Sequence, residues 1–213
     1  LAQGKAYRPR IDPADFVNPV ENPYYPLKPG TTRVYEGGGE RVEVTVTAST
    51  KRILGVATTV VRDRVFIGGR LAEDTFDWFA RDRWANVWYF GEDTKEYSNG
   101  RVVSTAGSWQ AGVGGAEPGV VMLGEPRVGN AYRQEYYAGE AEDMARVRSV
   151  TQTVRVPRGS FDRVLMTEDW TPLEPALLER KWYARGVGLV MERVVRGGRG
   201  TVSLVDVRTG STD

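Results

Sequence analysis

The sequence predicts an all-β fold: an antiparallel meander that closes into a barrel or half-barrel, or stacks as a two-layer sandwich. Three observations support this prediction. Apolar residues alternate with polar ones, turn-forming residues recur at short intervals, and no amphipathic stretch is long enough for a helix. The clearest strand is residues 41–47, where valines occupy one face and Arg, Glu and Thr the other.

Glycine-rich turns divide the chain into hairpins. Residues 37–39, 68–69 and 99–100 supply the positive φ that tight hairpins require, and Asn-Gly at 99–100 is the strongest of these signals. Further strands are predicted at residues 131–137, 145–156, 161–170, 178–184, 188–196 and 201–208, with the last hairpin at 197–200. Short helical turns fit only around residues 13–17, 139–144 and 172–178.

Two segments depart from the meander. Residues 1–30 contain six prolines and are predicted to form an extended arm before a single β domain, residues 31–213. The arm is too apolar for a free tail, so it is expected to lie along its own sheet or that of a neighbouring subunit, through Phe16, Tyr24, Tyr25 and Leu27. The second segment is a Gly-rich connection at residues 106–130, and long connections of this kind often form lids or edges.

Composition excludes several kinds of chemistry. The chain has no His and no Cys, so it cannot form a Ser-His-Asp triad, a Cys-His pair or an imidazole or thiolate zinc site. We therefore expect no cofactor. With 29 basic and 28 acidic residues, the net charge of +1 favours no nucleic-acid partner, and no apolar run approaches the roughly 18 to 20 residues of a transmembrane segment. Lack of Cys is compatible with the cytosol as well as with export.

Acidic residues concentrate between Glu73 and Glu96. Oxygen-rich turns can bind calcium, but the spacing of a calcium loop is missing and basic residues intervene. We predict no metal site and expect these side chains to pair with bases across the sheet, with a bound cation as the alternative. Carboxylates could instead act as acid and base on a glycoside, and Tyr, Lys or Arg could support an elimination. The candidate carboxylates are Asp74 or Asp77 beside Glu92, or Glu168 and Asp169 beside Glu179; the preferred pair is Asp77 and Glu92.

Aromatic residues alternate with charged ones, most densely in residues 76–84. Such residues can stack on sugars or apolar ligands, and they also fill cores. Adjacent rings such as Trp88 and Tyr89 must point to opposite faces of a strand, so both faces of the sheet need cover. The predicted binding residues are Trp78, Trp84, Trp88, Trp109 and Trp182.

Four short sequence motifs, taken together, resemble those of a known protein family. They are Asn-Pro-Tyr-Tyr-Pro-Leu at 22–27, Gly-Glu-Asp-Thr at 91–94, Val-Pro-Arg-Gly-Ser-Phe at 156–161 and Trp-Tyr-Ala-Arg-Gly-Val-Gly-Leu-Val at 182–190. Together they resemble an uncharacterised family of exported, β-rich bacterial proteins, over nearly the whole chain. The resemblance implies a precursor with a signal peptide and a sheet curled toward a barrel or half-barrel, and it implies no activity. Members typically carry an Asp-x-Asp-Gly-Asn turn where this chain has Asp-Arg-Trp-Ala-Asn at 82–86, so the resemblance gives no support for a cation site here.

These observations predict a non-catalytic module, secreted or in the cell envelope. It would bind a partner or ligand through its aromatic surface, or assemble with copies of itself through the arm, as an oligomer or filament. The first alternative is a polysaccharide hydrolase or lyase that uses carboxylates or Tyr. The second is a barrel that carries an apolar small molecule.

Overall fold

The predicted all-β class is confirmed. A computed structural model describes residues 7–210, which contain sixteen strands and a single short 3-10 helix at Pro13–Asp15. Residues 1–6 of the predicted arm and 211–213 of the predicted β domain lie outside the described range. The strands are β1 Phe16–Val17, β2 Thr31–Gly37, β3 Glu40–Ile53, β4 Val56–Ile67, β5 Arg70–Asp82, β6 Val87–Ser98, β7 Arg101–Ser104, β8 Trp109–Gln110, β9 Glu117–Met122, β10 Ala131–Arg133, β11 Glu135–Tyr136, β12 Met144–Val156, β13 Gly159–Trp170, β14 Leu178–Ala184, β15 Gly188–Arg196 and β16 Gly200–Thr209.

One antiparallel sheet contains the long strands. Its order runs from β12 through β13, β14, β15 and β16 to β2, and continues through β3, β4, β5 and β6 to β9. The final strand therefore pairs with the first long one, β16 with β2, in antiparallel register. Hairpins connect most neighbours, and Asn99 and Gly100 adopt the positive φ values of 51° and 74° that their sequence predicts.

A single short segment lies at both edges of this sheet and nearly closes it into a barrel. β10 pairs with β12, and β11, two residues later, pairs with β9. Between them, the Gln134 backbone N–H donates to the Asp143 carbonyl at 2.7 Å. The closure needs Gly119 on β9, because a Cβ there would lie 2.3 Å from the carbonyl carbon of Gln134. The sheet thus has an interior face and an exterior face.

The outer face is covered in two places. Trp78 points outward from β5, because its neighbours in sequence point inward. It packs in a cluster with Phe90 and Trp109, and Phe16 of β1 packs against this cluster. On the other side, Trp182 of β14 packs in a cluster with Val156, at the far end of the β12–β13 hairpin. Both faces of the curled sheet therefore bury aromatic side chains.

The N-terminal residues cover part of the inside. Val20, Tyr24 and Leu27 are buried in one cluster whose other members come from strands along the whole chain: Val46, Val61, Phe79, Val87, Met122, Val147, Leu165 and Tyr183. Asn22 fixes this path, since its side-chain amide donates to the carbonyls of Ala85 and Leu123 at 2.8 and 3.1 Å. Its side-chain oxygen accepts from the backbone N–H of Tyr24 at 2.8 Å. What the arm leaves unfilled is a cavity.

Candidate functional site: an acidic cavity inside the barrel

The interior of the barrel contains a cavity of about 380 Å³, within the range typical of small-ligand sites. Five aromatic side chains line it: Tyr25, Tyr35, Phe79, Tyr89 and Tyr183. Six carboxylates also line it: Asp63, Asp77, Glu92, Glu135, Asp143 and Glu192. Only two cationic side chains, Arg33 and Lys181, face them among the described residues that line the cavity. The cavity is therefore aromatic and strongly acidic.

A β-bulge orients one wall of the cavity. Phe79 pairs with Tyr89 and Asp77 pairs with Glu92, so β6 carries an extra residue between these two pairs. The bulge puts Tyr89 and Glu92 on the same inward face although three positions separate them. It depends on Gly91, whose φ is 120° and where a Cβ would lie 2.2 Å from the Trp109 carbonyl oxygen.

The preferred carboxylate pair of the sequence analysis meets on this wall. Asp77 and Glu92 are direct cross-strand partners, and both line the cavity. The Tyr89 hydroxyl donates to Asp77 Oδ1 at 2.7 Å. Burial raises the pKa of Asp77 well above its usual range, and the nearby Asp63 and Glu92 carboxylates add to the effect. The pKa of Glu92 is raised as well, mainly by burial. The wall therefore holds a pair of carboxyl groups that resists double ionisation.

Glu92 also ends a chain of four hydrogen-bonded groups. Thr94 Oγ1 lies 2.9 Å from Glu92 Oε2 and 3.1 Å from Thr75 Oγ1, and Thr75 Oγ1 lies 2.9 Å from Glu73 Oε1. Thr94 donates to Glu92 Oε2 and Thr75 donates to Glu73 Oε1, so the two threonine hydroxyls connect the carboxyl groups of Glu92 and Glu73.

Asp63 on β4 is the least satisfied carboxylate of the wall. Val61, two residues before it on the same face, pairs with Asp77, so Asp63 lies diagonally from Asp77. Its Oδ1 is excluded from solvent and has no hydrogen-bond partner among the described residues. Burial raises the pKa of Asp63 to about 7, with further contributions from the carboxylates of Glu73 and Glu192.

Lys181 forms the centre of the opposite wall. Its Nζ lies 3.5 Å from Glu192 Oε2, 3.8 Å from Asp169 Oδ2 and 4.0 Å from Glu179 Oε2. The Glu192 carboxylate, more than any other group, raises the pKa of Lys181 well above its usual range. One ammonium group thus faces three carboxylates, and it neutralises only part of their charge.

A third group of carboxylates lies near the closure of the barrel. Glu135, on β11, accepts a hydrogen bond from the Trp109 indole Nε1 at 3.2 Å. Burial, together with the Asp143 and Glu92 carboxylates, raises its pKa to about 8. Acidic groups are thus present on three parts of the cavity wall.

Other predicted carboxylates lie away from the cavity or are neutralised. Asp74 is on the opposite face of β5 from Asp77, where Arg62 binds it with two hydrogen bonds of 2.7 Å and lowers its pKa. Glu168 is held by Arg148 at 3.0 Å and Arg180 at 2.9 Å. Asp169 and Glu179 are cross-strand partners beside Lys181. Among the predicted pairs of carboxylates, Asp77 and Glu92 form the pair that lies inside the cavity with no cationic side chain between its members.

The five predicted binding tryptophans are mostly buried. Trp78, Trp109 and Trp182 are 6%, 5% and 7% exposed, Trp88 is half-buried, and Trp84 is 58% exposed at the tip of the β5–β6 hairpin. Trp109 is the one that reaches the cavity wall, through its contacts with Tyr89 and Glu135. Burial favours a structural role for the other buried rings, and a binding role for the set stays a prediction.

The predicted assembly residues contact their own chain. Phe16 packs edge-on against Trp88 and Phe90, and Tyr24 and Leu27 are buried in the interior cluster. Tyr25 lies over Phe79 and lines the cavity. Docking of this arm on a neighbouring subunit therefore stays a prediction.

No group of three acidic side chains in residues 7–210 converges closely enough to hold a metal ion. At the turn where relatives were expected to carry Asp-x-Asp-Gly-Asn, the Asp82 carboxylate accepts four hydrogen bonds from its own chain. The donors are the backbone N–H groups of Trp84 and Asn86, the Asn86 side chain and the Trp88 indole. These bonds engage both oxygens of Asp82 within the turn.

Sequence reasoning missed the greater part of this site. Asp63, Glu135, Asp143, Lys181 and Glu192 were not candidates, because each comes from a different strand or loop and only the closure of the sheet brings them together. A signal existed in Asp63, which occupies an inward position of the alternating strand β4 where an apolar residue would be expected.

In the part of the chain that the structure describes, no helix is both long and apolar enough to cross a membrane.

Comparison with known proteins adds the fold alone. No family model and no curated protein matches this sequence. A solved structure from Bacteroides fragilis, a "putative exported protein with YmcC-like fold", is similar with a TM-score of 0.52 and 12% identity, and covers 87% of this chain and 99% of its own. A "putative lipoprotein" from Parabacteroides distasonis has a TM-score of 0.48 and 10% identity, over 88% of this chain and 99% of its own. The chain therefore has a YmcC-like β fold, in agreement with the resemblance to an uncharacterised β-rich family.

Proposed function

We propose that this chain is a non-catalytic, secreted or cell-envelope β module that binds a small polar ligand in its interior cavity. One observation carries the proposal: a cavity of about 380 Å³ lined by five aromatic rings and six carboxyl groups, among them Asp63, which forms no ion pair among the described residues. A polar ligand in the cavity would give these carboxyl groups hydrogen-bond donors. The location rests on the exported character that the structural neighbour's description states for that protein.

The polar lining argues against the alternative of an apolar cargo. An apolar molecule would have to desolvate six carboxyl groups without offering any of them a hydrogen bond. A polar ligand with aliphatic or ring surface would satisfy both the carboxyl groups and the aromatic rings.

The test is a variant that blocks the cavity. Val121 is half-buried and lines the cavity, so Val121→Trp should fill it, whereas Val113→Trp at an exposed position should not. Native mass spectrometry of gently purified protein, followed by screening a panel of polar metabolites by calorimetry, should reveal a ligand that Val121→Trp loses and Val113→Trp keeps. Both variants must melt as cooperatively as the parent. Binding unaffected by Val121→Trp, or no binding at all, would remove the proposal.

Carboxylate catalysis on a polysaccharide is the second candidate, and the apposition of Asp77 and Glu92 favours it. Cross-strand partners have Cβ atoms about 4.5 to 5.5 Å apart, which suits two carboxyl groups acting on one bond. Asp77, whose pKa burial raises well above its usual range, would be the acid. A panel of polysaccharides should then release products with the parent protein and lose at least 100-fold in rate with Asp77→Asn or Glu92→Gln. No release by the parent protein would eliminate this candidate.

A further inference from the structure

The carboxylates of the cavity are distributed rather than convergent. Three of them lie on the adjacent strands β4, β5 and β6: Asp63, Asp77 and Glu92. Glu192 lies on β15, and Glu135 lies near the closure of the barrel. A divalent metal needs oxygen ligands within about 2.0 to 2.6 Å of one point. No three acidic groups in residues 7–210 are arranged in that way. The distribution instead matches a ligand that carries positive charge at more than one position along its length.

The two cationic side chains of the cavity are already engaged and cannot pair with all six carboxyl groups. Arg33 directs Nε to the Val187 carbonyl and Nη2 to the Pro26 carbonyl, both at 2.6 Å, so it is engaged with backbone. Lys181 is engaged with Glu192 and with Asp169 behind it. Asp63 lines the cavity, is only half-buried and forms no ion pair among the described residues. Its carboxyl group is therefore available to an incoming ammonium group.

The aromatic rings add a second attraction for the same chemistry. Phe79 and Tyr89 stack beside Asp77 with centroids 4.9 Å apart, and Tyr25 packs against Phe79 at an interplanar angle of 57°. Ring faces attract organic cations, and more strongly where water is excluded. A methylene chain between ammonium groups would lie against these rings.

Resting on the function proposed above, we infer that the ligand is an elongated organic polyamine, with at least two ammonium groups separated by aliphatic carbons. One ammonium group would bind Asp63 and Asp77, and another would bind toward Glu135 or Glu192. The class follows from the charge, the aromatic lining and the spread of the acceptors.

The experiment is calorimetric titration at 150 mM salt and pH 8 with spermidine as the probe. 1,8-Octanediol serves as a neutral compound of similar length and magnesium chloride as a compact cation. Spermidine should bind, and Asp63→Asn should weaken it about tenfold, since a hydrogen bond to a charged group is lost. Glu125→Gln, which removes a mostly exposed acid outside the cavity, should leave the affinity unchanged. A melting curve for each variant checks folding.

The outcomes separate this inference from the broader proposal. Spermidine binding that Asp63→Asn weakens and Val121→Trp abolishes supports both the inference and the broader proposal. Equal binding of octanediol, preferential binding of magnesium, or an equal effect of Glu125→Gln would overturn the polyamine inference. If spermidine does not bind but another compound binds and is lost in Val121→Trp, the cavity is a binding site and only the ligand class is wrong.

Discussion

Asp77 and Glu92 face each other directly across β5 and β6, with the Tyr89 hydroxyl bound to Asp77 at 2.7 Å. Like charges in directly opposed positions destabilise a sheet, and burial strengthens the effect. The arrangement is therefore tolerated at the expense of stability, in agreement with the raised pKa of both carboxyl groups. That cost is measurable.

We expect Asp77→Asn to stabilise the protein at pH 8. The amide oxygen can still accept the Tyr89 hydroxyl proton, while the like-charge repulsion disappears, for a gain of about 1 to 2 kcal/mol in the free energy of unfolding. Urea denaturation measures it. Asp93→Asn on the neighbouring strand β6, where Lys95 binds Asp93 near the surface, is the control and should shift stability by less than about 0.5 kcal/mol. A lower midpoint for Asp77→Asn would contradict the expectation.

Stability should fall as the pH rises. Burial raises the pKa of Asp63 from 3.8 to about 7 and that of Glu135 from 4.5 to about 8, so the folded protein holds protons that the unfolded chain releases. The contribution of these two protonated groups to the free energy of unfolding is complete below about pH 4 and is lost between about pH 4 and 8. Melting temperatures across this interval should therefore decrease. Asp63→Asn should flatten the profile and raise stability at pH 8 by about 1 to 3 kcal/mol, whereas an unchanged profile would refute the assignment.

The bulge at Gly91 should not tolerate a side chain. Gly91→Ala would place a Cβ 2.2 Å from the Trp109 carbonyl oxygen at a φ of 120°, so we expect a loss of about 2 kcal/mol or more. Gly200→Ala is the control, because its Cβ would meet only ordinary contacts. Thermal denaturation compares the two. Equal melting temperatures would mean that β6 can pair without the bulge.

The arm should contribute to stability in its own chain. Leu27 is 4% exposed, so Leu27→Ala should cost about 2 to 4 kcal/mol, whereas Val17→Ala, at a 37% exposed position, should cost less than about 0.5. Denaturation by urea gives both values. The masses of the same proteins, and of a variant that lacks residues 1–28, should also be measured by light scattering. A mass that halves on deletion would show that the arm docks on a neighbouring subunit.

Asn22 should not be replaceable by its acid. The Asn22 amide donates to the Ala85 and Leu123 carbonyls, and Asp would offer no donor and would place a charge beside two carbonyl oxygens. We expect Asn22→Asp to cost about 3 kcal/mol or more at pH 8. Asn18→Asp, at an exposed position, is the matched control in the same thermal assay. Equal effects would show that the Asn22 contacts do not hold the arm.

Local sequence signals determined which parts of the fold were predictable. Alternation on β3 and Gly-containing turns such as Asn99–Gly100 reflect the backbone of a few residues, and those predictions are confirmed. The β3–β4 turn was missed because Leu54, at a φ of 49°, gives no turn signal. Strand β9 was missed because its Gly-rich surroundings read as a loop, whereas Gly119 is needed where β9 approaches Gln134.

The site depended on longer-range information. Asp77 and Glu92 were identifiable as candidates because adjacent strands of a meander bring their residues together in a predictable order. Lys181 and Glu192 face them only because β16 pairs with β2 and the sheet curls, and alternation along single strands does not encode that closure. Trp78 and Trp182 are buried because segments far away in sequence cover them, and the residues around each tryptophan do not indicate that cover.

The position of Tyr25 sets an order of events for chain maturation. Its ring contacts Phe79 at 5.5 Å and Tyr183 at 6.4 Å between centroids, so the segment around Tyr25 can pack only after strands much later in the chain have formed. During synthesis or translocation, this segment must therefore wait for residues that emerge long after it. Contacts so far apart in sequence slow folding and prolong the exposure of apolar surface. A helper that shields the leading residues during that interval would raise the yield of native molecules.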